Sequence, residues 1–338
     1  MYKQILTKLT NHIELSENEI FDLIASINRD EISDVQIGGF QVALLMKSPT
    51  LAETAAIAKA MRQNCVRLTP NVREPMMDTC GTGGGLSTFN ISTATAIVAA
   101  AAGIPIAKHG SRSISSLSGS ADVLEALGVN ISLTPDKAER MIEEIGIAFL
   151  YAPLFHPVMC KVLPPETELG IKTIFYTIIG PLINPAFASR HVLGVYKPEL
   201  LDTVTKVAVQ LGYTDALFVH GLDGLDEISL MGTTRINELH NGRVQTYEIT
   251  PEALGLERCT LDQIKTGTPE ANAACIRGVF SGKIRGAQRN AILMNAAGAL
   301  FIGGRADNLK QGVSLAGELI DSGAAECKLS DLAEASKS

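Results

Sequence analysis

A polar stretch dense in glycine, MMDTCGTGGGLSTFNIST at residues 76–93, is the first feature that could do chemistry. Glycine loses more backbone freedom on folding than any other residue, so four glycines in five positions require a reason. They are Gly81, Gly83, Gly84 and Gly85. A glycine loop between a strand and a helix directs backbone N–H groups and a helix N-terminus at one point, which favours phosphate or pyrophosphate. The alternative is a tight turn without a ligand.

The spacing of this loop excludes two common nucleotide-binding motifs. No G-K-[S/T] follows the glycines, as a P-loop requires. The run from Gly81 to Gly85 also lacks the separation and the distant acidic partner of a dinucleotide fingerprint. The anion, if one binds, therefore belongs to another class of phosphate compound.

A second segment rich in cations and hydroxyls, AKHGSRSISSLSGSADVLEALG, covers residues 107–128. Lys108, His109 and Arg112 end a run that is typical of a buried strand, and serines follow before a predicted helix. The serines are Ser113, Ser115, Ser116, Ser118 and Ser120. Cations with hydroxyls at the carboxyl end of a strand indicate a second anion site. A solvated serine-rich loop is the alternative.

Two adjacent carboxylates, Asp226 and Glu227, lie in VHGLDGLDEIS at residues 219–229, just after another predicted strand. Carboxylate oxygens are the ligands that Mg²⁺ prefers, directly or through water. A surface acidic turn is the ordinary interpretation of such a pair. The three segments all follow predicted strands, and their joint occurrence favours one site that binds pyrophosphate with magnesium.

The sequence predicts that these segments belong to an α/β domain over residues 75–338. Short apolar runs alternate with amphipathic helices, which predicts a mostly parallel central sheet. The predicted strands are IPIAKHG, IAFLYA, HVLGVY and DALFVHG, and the predicted helices between them include ADVLEALG, DKAERMIEEIG and PELLDTVTKVAVQLG. Asn241-Gly242 predicts a hairpin turn, and the last third is predicted to be helical.

Residues 1–70 read as a small N-terminal domain of helices only. Ser16 with Glu19 forms one capping box and Thr50 with Glu53 another, each followed by apolar residues at helical spacing. The segment IGGFQVALLMK at residues 37–47 is apolar nearly all round, which leaves a buried helix and a subunit interface equally open. We expect residues 160–185 to pack on this domain.

Composition limits the class of protein. The chain has 338 residues, of which 46% are apolar, and a formal charge of −7 that argues against nucleic acid as the main partner. Six scattered cysteines without a C-x-x-C pair favour reduced thiols of the cytoplasm over disulfides or a zinc site. The absence of a long apolar window and of a leader segment predicts an untargeted cytoplasmic protein with no membrane partner.

Several motifs together make the chain similar to the anthranilate phosphoribosyltransferase family, in the nucleoside phosphorylase and phosphoribosyltransferase class. They are GTGG, TFNISTA, the KHG to SGSADVLEALG segment, HPVM, GPLINPA, GVY and HGLDGLDE, and they extend over nearly the whole length. The resemblance implies transfer of ribose 5-phosphate from phosphoribosyl pyrophosphate (PRPP) to the amine of anthranilate, with Mg²⁺, in tryptophan biosynthesis. It also implies a homodimer formed through the helical domain.

The resemblance also assigns residues to roles. It implies PRPP contacts at Gly81, Thr82, Gly83, Gly84, Thr88, Asn90, Ser92, Thr93, Lys108, Ser116 and Ser120. It implies Ser92, Asp226 and Glu227 as magnesium ligands. It implies an acceptor pocket at Gly81, His109, Ser111, His156, Glu166 and Lys172. No covalent nucleophile is needed, because catalysis requires stabilising the leaving pyrophosphate and placing the nitrogen below the anomeric carbon.

The chain departs from the family pattern mainly where the acceptor binds. The family loop G-T-G-G-D-G loses its acid and one residue here, and Ser111 replaces an asparagine. Glu166 stands where an arginine is expected to bind the anthranilate carboxylate, Lys172 replaces a second arginine, and Tyr176 replaces an asparagine. A carboxylate cannot bind a carboxylate as arginine does.

These departures leave three functions open. The first is phosphoribosyl transfer to anthranilate or, because of Glu166 and Ser111, to another nitrogen acceptor. The second is phosphorolysis of a nucleoside or nucleotide, against which the complete Ser92, Asp226 and Glu227 set argues. The third is a binding protein without turnover, which the missing loop acid supports. If Glu166 lines the pocket, anthranilate should bind poorly, and restoring arginine should improve it.

Overall fold

A computed structural model describes residues 1–113, 117–265 and 267–338 of the chain. The N-terminal part contains four helices, whose bounds are α1 Tyr2–Thr10, α2 Glu17–Asn28, α3 Asp34–Lys47 and α4 Leu51–Gln63. Ser16, Ser33 and Thr50 each form a capping box at the start of the following helix. These caps satisfy N–H groups that have no partner within the helix, so the local sequence fixes where each helix begins.

The rest of the chain forms the α/β part. Its first half contains β1 Met77–Gly81, α5 Ile91–Ala101, β2 Ile106–Gly110, α6 Ser120–Ala126, α7 Pro135–Ile145, β3 Ile147–Tyr151, α8 Ala152–Phe155 and α9 Pro157–Glu168. A π-helical segment, Phe175–Ile179, follows and is called the π-turn below. Next come α10 Gly180–Leu182, β4 Arg190–Gly194, α11 Pro198–Gln210, β5 Asp215–Gly221, β6 Thr234–His240 and β7 Arg243–Ile249.

The C-terminal third is helical, as the sequence predicts. After a short 3₁₀ helix at Glu252–Leu254 it contains α12 Leu261–Ile264, α13 Pro269–Phe280, α14 Ala287–Ile302, α15 Leu309–Asp321 and α16 Ala324–Ala335. Helix α14 is buried along most of its length and packs against α5 and α15. Among the described helices, none combines the length and the apolar character that a membrane span requires.

One sheet of seven strands organises the α/β part, in the order β3-β2-β1-β4-β5-β6-β7. The five strands from β3 to β5 are parallel, and β6 and β7 add an antiparallel edge. Asn241 and Gly242 have φ of 49° and 77°, the left-handed values of a type I′ hairpin turn. The predicted fold class, helical domain plus mostly parallel α/β domain, is confirmed, and so is the hairpin.

The described residues form two hydrophobic cores, and the second one joins the halves of the chain. It combines the apolar faces of α1–α4 with α9, the π-turn and α11. The rings of Phe40 in α3 and Phe175 in the π-turn meet edge to face at 6.2 Å between centroids. Gln41 donates from Nε2 to the Val162 carbonyl in α9 at 2.7 Å, and Lys161 donates to the Asn28 carbonyl at 2.6 Å. Residues 157–183 are therefore part of the helical bundle.

Helix α3 is apolar on two sides, of which the described residues of this chain cover one. Ile37, Phe40 and Leu44 are buried in the bundle. On the other side, Val35 and Met46 are 86% and 73% exposed, with Val42 and Leu45 also exposed. The prediction from IGGFQVALLMK thus describes a helix with one face in the core and one apolar face at the surface of the chain.

Candidate active site

A cleft of about 1000 Å³ lies at the carboxyl ends of β1 and β2, with α9 forming its opposite wall. The parallel strands bring their C-terminal loops to this edge of the sheet, the usual place for ligands in open α/β sheets. Three segments that the sequence singles out line it: the loop between β1 and α5, the β2–α6 loop and the pair Asp226-Glu227. Ser116 and the neighbouring Ser115 lie outside the described residues.

The glycine loop is shaped by a close approach of the Asp226 carboxylate. A Cβ atom on Gly81 would overlap Asp226 Oδ2, and one on Gly85 would be 2.7 Å from the Gly224 carbonyl oxygen. The N–H of Gly83 donates to Asp226 Oδ2 at 2.9 Å. The loop therefore does admit an anion against its backbone, and in this structure that anion is the protein's own carboxylate.

Strand register explains how Asp226 reaches the loop. Gly81 in β1 pairs with Gly194 in β4, and Gly194 pairs with Val219 in β5. A Cβ atom on Gly194 would overlap the backbone carbonyl of Asp226. The segment after β5 can fold back across β4 onto β1 only because position 194 has no side chain.

The carboxylate pair has the electrostatics of a site that needs a cation. Burial, together with the charge of the neighbouring Asp226, raises the pKa of Glu227 to about 8. Burial also raises the pKa of Asp226. Burial destabilises the charged forms of these two adjacent carboxylates, and a bound Mg²⁺ would stabilise them. Ser92 faces the same cleft from the first turn of α5. The donor set fits the ion implied by the sequence.

Two residues that the sequence analysis did not select support the floor of the cleft. The Asp78 carboxylate is fully buried and accepts from Asn184 Nδ2 at 2.8 Å and from the His109 N–H at 3.1 Å. Burial raises the pKa of Asp78 to about 6, against the opposing effect of the Lys108 charge. Asp78 belongs to the segment DTCGTGG, and Asn184 belongs to GPLINPA. A polar residue among the apolar residues of a buried strand or turn is the sequence signal that could have identified them.

Lys108 is the most deeply placed cation of the cleft, at 2% exposure. Its amino group donates to the Thr79 carbonyl at 2.6 Å, and burial lowers its pKa. Its side chain lines the same cavity as Asp226 and Glu227. A buried ammonium beside oxygen acceptors can interact with a phosphate group, as the resemblance implies.

Of three other residues predicted to contact PRPP, two line the cleft and one does not. Thr88 and Asn90 line the cleft, but the Asn90 amide already accepts from Ser118 Oγ at 3.1 Å and from Asn272 Nδ2 at 2.6 Å. Asn90 therefore fixes the serine loop against α5. The prediction for the Thr93 side chain is wrong: it is buried away from the cleft, because one step along α5 from Ser92 rotates it by about 100° into the core.

Two neutral histidines, His109 and His156, line the cleft. The rings of His109 and His156 meet edge to face at 4.8 Å between centroids. Burial lowers the pKa of His109 to about 3 and that of His156 well below its ordinary value. Nε2 of His109 and both ring nitrogens of His156 are buried and have no hydrogen-bond partner among the described residues. Such nitrogens can receive polar groups of a ligand.

Glu166, predicted to line the acceptor pocket, does not line the cleft in this structure. Cleft-lining positions of α9 are Met159, Cys160, Leu163, Pro164, Thr167 and Glu168. Glu166 is not among them; it is buried, at 3% exposure. Its Oε1 accepts a short hydrogen bond from the Thr173 N–H, and burial raises its pKa. Glu166 joins the end of α9 to the segment that leads into the π-turn.

Ser111 and Lys172 do lie on the cleft, as does Arg112. Arg112 is turned away toward α6, where its guanidinium contacts Asp122 at 2.9 Å and Glu125 at 2.6 Å. Lys172 has no ion pair or hydrogen bond with a described residue, and its Nζ lies 5.1 Å from the ring centroid of Tyr176. Ser120 also lines the cleft, and its hydroxyl donates to the Ser111 carbonyl at 3.4 Å.

The fold and site agree with comparisons to known proteins. Residues 3–65 match the helical bundle domain of a glycosyl transferase family, and residues 73–326 match the a/b domain of that family. The chain therefore belongs to the glycosyl transferase family built from these two domains.

Within this family the chain is similar to anthranilate phosphoribosyltransferases. The enzyme from Desulfosudis oleivorans is 48% identical over 100% of this chain and 99% of its own, and that from Acetivibrio thermocellus is 45% identical over 99% and 96%. The Thermus thermophilus crystal structure superposes with a TM-score of 0.91, at 39% identity and 99% coverage of both chains. The Saccharomyces cerevisiae enzyme in complex with PRPP and Mg gives 0.90, at 28% identity over 99% and 98%.

Proposed function

We propose that this protein transfers the phosphoribosyl group of PRPP to the amine of anthranilate and releases pyrophosphate, as in tryptophan biosynthesis. One observation carries the proposal: a single cleft combines a glycine loop, adjacent carboxylates and two buried histidines with unpartnered nitrogens. The first two serve an anionic donor with its metal, and the third serves a polar aromatic acceptor. The anthranilate phosphoribosyltransferases to which the chain is similar act on these substrates by name.

The donor half uses the loops at the carboxyl ends of β1, β2 and β5. We assign PRPP contacts to Gly81, Thr82, Gly83, Gly84, Thr88, Ser92, Lys108 and Ser120, all of which line the cleft. Ser92, Asp226 and Glu227 would hold Mg²⁺, which when bound neutralises charge on the pyrophosphate. Asp226 now accepts from the Gly83 N–H; a cation held by this carboxylate would leave that N–H for a phosphate oxygen.

The reaction requires the chain to position two groups and to exclude water. The amine nitrogen attacks the anomeric carbon, the bond from that carbon to the pyrophosphate oxygen breaks, and the oxygen leaves with the electron pair. The nitrogen then loses a proton. Because His109 and His156 are neutral and buried, an unprotonated ring nitrogen can accept a hydrogen bond from the amine N–H.

The acceptor half is completed by Gly81, Ser111 and Lys172. Of the three cleft-lining cations, Lys108 donates to Thr79 and Arg112 pairs with two carboxylates. Lys172 is the remaining positive group for the carboxylate of anthranilate, while Ser111 offers a hydroxyl. A different nitrogen acceptor was favoured chiefly by Glu166, and that carboxylate does not face the cleft.

We also propose that the protein acts in the cytoplasm as a homodimer whose interface includes the exposed apolar face of α3. That face presents Val35, Val42, Leu45 and Met46, and no described residue of the same chain covers it. Light scattering should give about twice the chain mass of 35.9 kDa. A monomer at micromolar concentration would remove the interface.

Pyrophosphate release tests the activity. The protein is mixed with PRPP and Mg²⁺, and anthranilate or 2-aminobenzamide is supplied in separate reactions. Release with anthranilate at a kcat/KM of about 10⁴ M⁻¹s⁻¹ or more supports the proposal. Release only with another amine identifies a different acceptor, and tight Mg-PRPP binding without release with any acceptor identifies a binding protein.

A further inference from the structure

The π-turn directs one aromatic side chain toward the glycine loop. Tyr176 lies on this segment and lines the cleft, with its hydroxyl 3.7 Å from the position that a Cβ on Gly83 would take. π-helical turns are rare and recur at functional sites, where the widened turn changes the direction of a side chain. Tyr176 therefore stands at the boundary between the donor half and the acceptor half of the cleft.

The ring of Tyr176 also lies beside the Lys172 ammonium. Their separation of 5.1 Å from Nζ to the ring centroid is within the range of a cation–π interaction. Lys172 is exposed and lies outside any helix or strand. Its long side chain therefore has few other restraints among the described residues. Lysine is a mobile point charge, whereas the arginine expected at this position carries a planar fork that orients itself.

We infer that Tyr176 is a positioning residue that holds Lys172 at the acceptor end of the cleft, so that the pair selects aromatic acceptors carrying a carboxylate. The aromatic face supplies the orientation that a lysine lacks. This inference rests on the proposed function, because it concerns how the proposed acceptor is recognised. Glu166 is hydrogen-bonded to Thr173, and the carboxylate of α9 that lines the cleft with Lys172 is the exposed Glu168.

A ratio of two dissociation constants tests the inference. Anthranilate and its neutral isostere 2-aminobenzamide are titrated into the whole protein with Mg²⁺ present, and the preference for anthranilate is recorded as the ratio of the two constants. Both ligands are measured on the same sample, so partial unfolding of a variant reduces both signals and leaves the ratio unchanged. Turnover of anthranilate by the unmodified protein is measured in parallel.

Four variants give distinct expectations. Tyr176→Leu removes the ring and should lower the preference about two- to fivefold, whereas Tyr176→Phe keeps the ring and should change it less than about 1.5-fold. Lys172→Met should lower it about tenfold or more. Because Tyr176 acts through Lys172, adding Tyr176→Leu to Lys172→Met should have no further effect on the ratio.

Three results would overturn the inference. One is a Tyr176→Leu effect of equal size on both ligands, which would indicate a change of cleft shape alone. Another is a Tyr176→Leu effect that persists in the Lys172→Met background. The third is an unmodified protein that binds both ligands equally. If the unmodified protein also releases no pyrophosphate with anthranilate, the proposed function fails as well. If it turns over anthranilate and Tyr176→Leu leaves the ratio of the two dissociation constants unchanged, only the role of Tyr176 is refuted.

Discussion

Replacing Glu166 with arginine should impair this protein, although arginine is the residue that the family resemblance places there. Glu166 is buried and does not line the cleft, and its Oε1 accepts from the Thr173 N–H. The Cα–Cβ bond of an arginine at 166 would point in the same direction as that of Glu166. Its guanidinium would replace a buried carboxylate that accepts from one backbone N–H group and forms no ion pair with a described residue.

The size of the effect follows from two losses. A buried Thr173 N–H without an acceptor costs about 1–3 kcal/mol. A guanidinium buried without a partner adds about 3–5 kcal/mol, as when one member of a buried ion pair is removed. A total of about 4–8 kcal/mol, at about 2 °C per kcal/mol for a large domain, corresponds to a fall in Tm of about 8–16 °C.

Two variants of the same helix serve as controls. Glu166→Gln keeps an oxygen acceptor for Thr173 and should leave Tm within about 2 °C of the unmodified protein. Glu168→Arg makes the same charge change at an exposed position of the cleft rim and should also leave Tm nearly unchanged. Thermal unfolding and kcat/KM for anthranilate are measured on all three. A Glu166→Arg protein with unchanged Tm and a lower KM for anthranilate would refute the placement of this side chain.

Three further predictions concern the cleft. Changing Asp226 to asparagine together with Glu227 to glutamine should abolish Mg-PRPP binding in calorimetric titrations while circular dichroism stays unchanged, and unaltered heats would remove the metal assignment. Gly81→Ala should weaken Mg-PRPP binding about tenfold or more, because its Cβ overlaps the Asp226 carboxylate; Gly317→Ala in α15 is the matched control and should have no effect. Burial lowers the pKa of His109 to about 3, so the unfolded chain binds a proton below about pH 6.5 that the folded chain refuses. Relative to His109→Asn, the unmodified protein should therefore lose about 2 kcal/mol of unfolding free energy between pH 7 and pH 5 in urea titrations, and parallel pH curves would contradict this.

Much of the fold can be predicted from the sequence because its signals are local. Capping boxes at Ser16 and Thr50 specify helix starts, and Asn241-Gly242 specifies a hairpin turn. Apolar runs of four to six residues between amphipathic helices specify parallel strands. The loops after those strands then meet at one edge, so the candidate site is predictable at the level of segments.

The side on which a single residue lies is harder to predict. A motif gives the position of Glu166 along α9, but whether it faces the cleft depends on the phase of that helix against the bundle, which packing with α3 decides. Ser92 and Thr93 are a similar case, because one step along α5 turns the side chain from the cleft into the core. The approach of Asp226 to Gly81 depends on strand register across β4, a long-range pairing that no local pattern records.

The shared core of the bundle has a consequence for the way the protein is made. Helices α1–α4 complete their core against α9 and the π-turn, as the contact of Phe40 with Phe175 illustrates. Those partners leave the ribosome roughly 100 residues after α4, a delay of about 5–20 s at ordinary rates of synthesis. During that interval the nascent helices expose apolar faces to water and to other chains. The N-terminal 70 residues thus become a stable unit only after the middle of the chain has been synthesised.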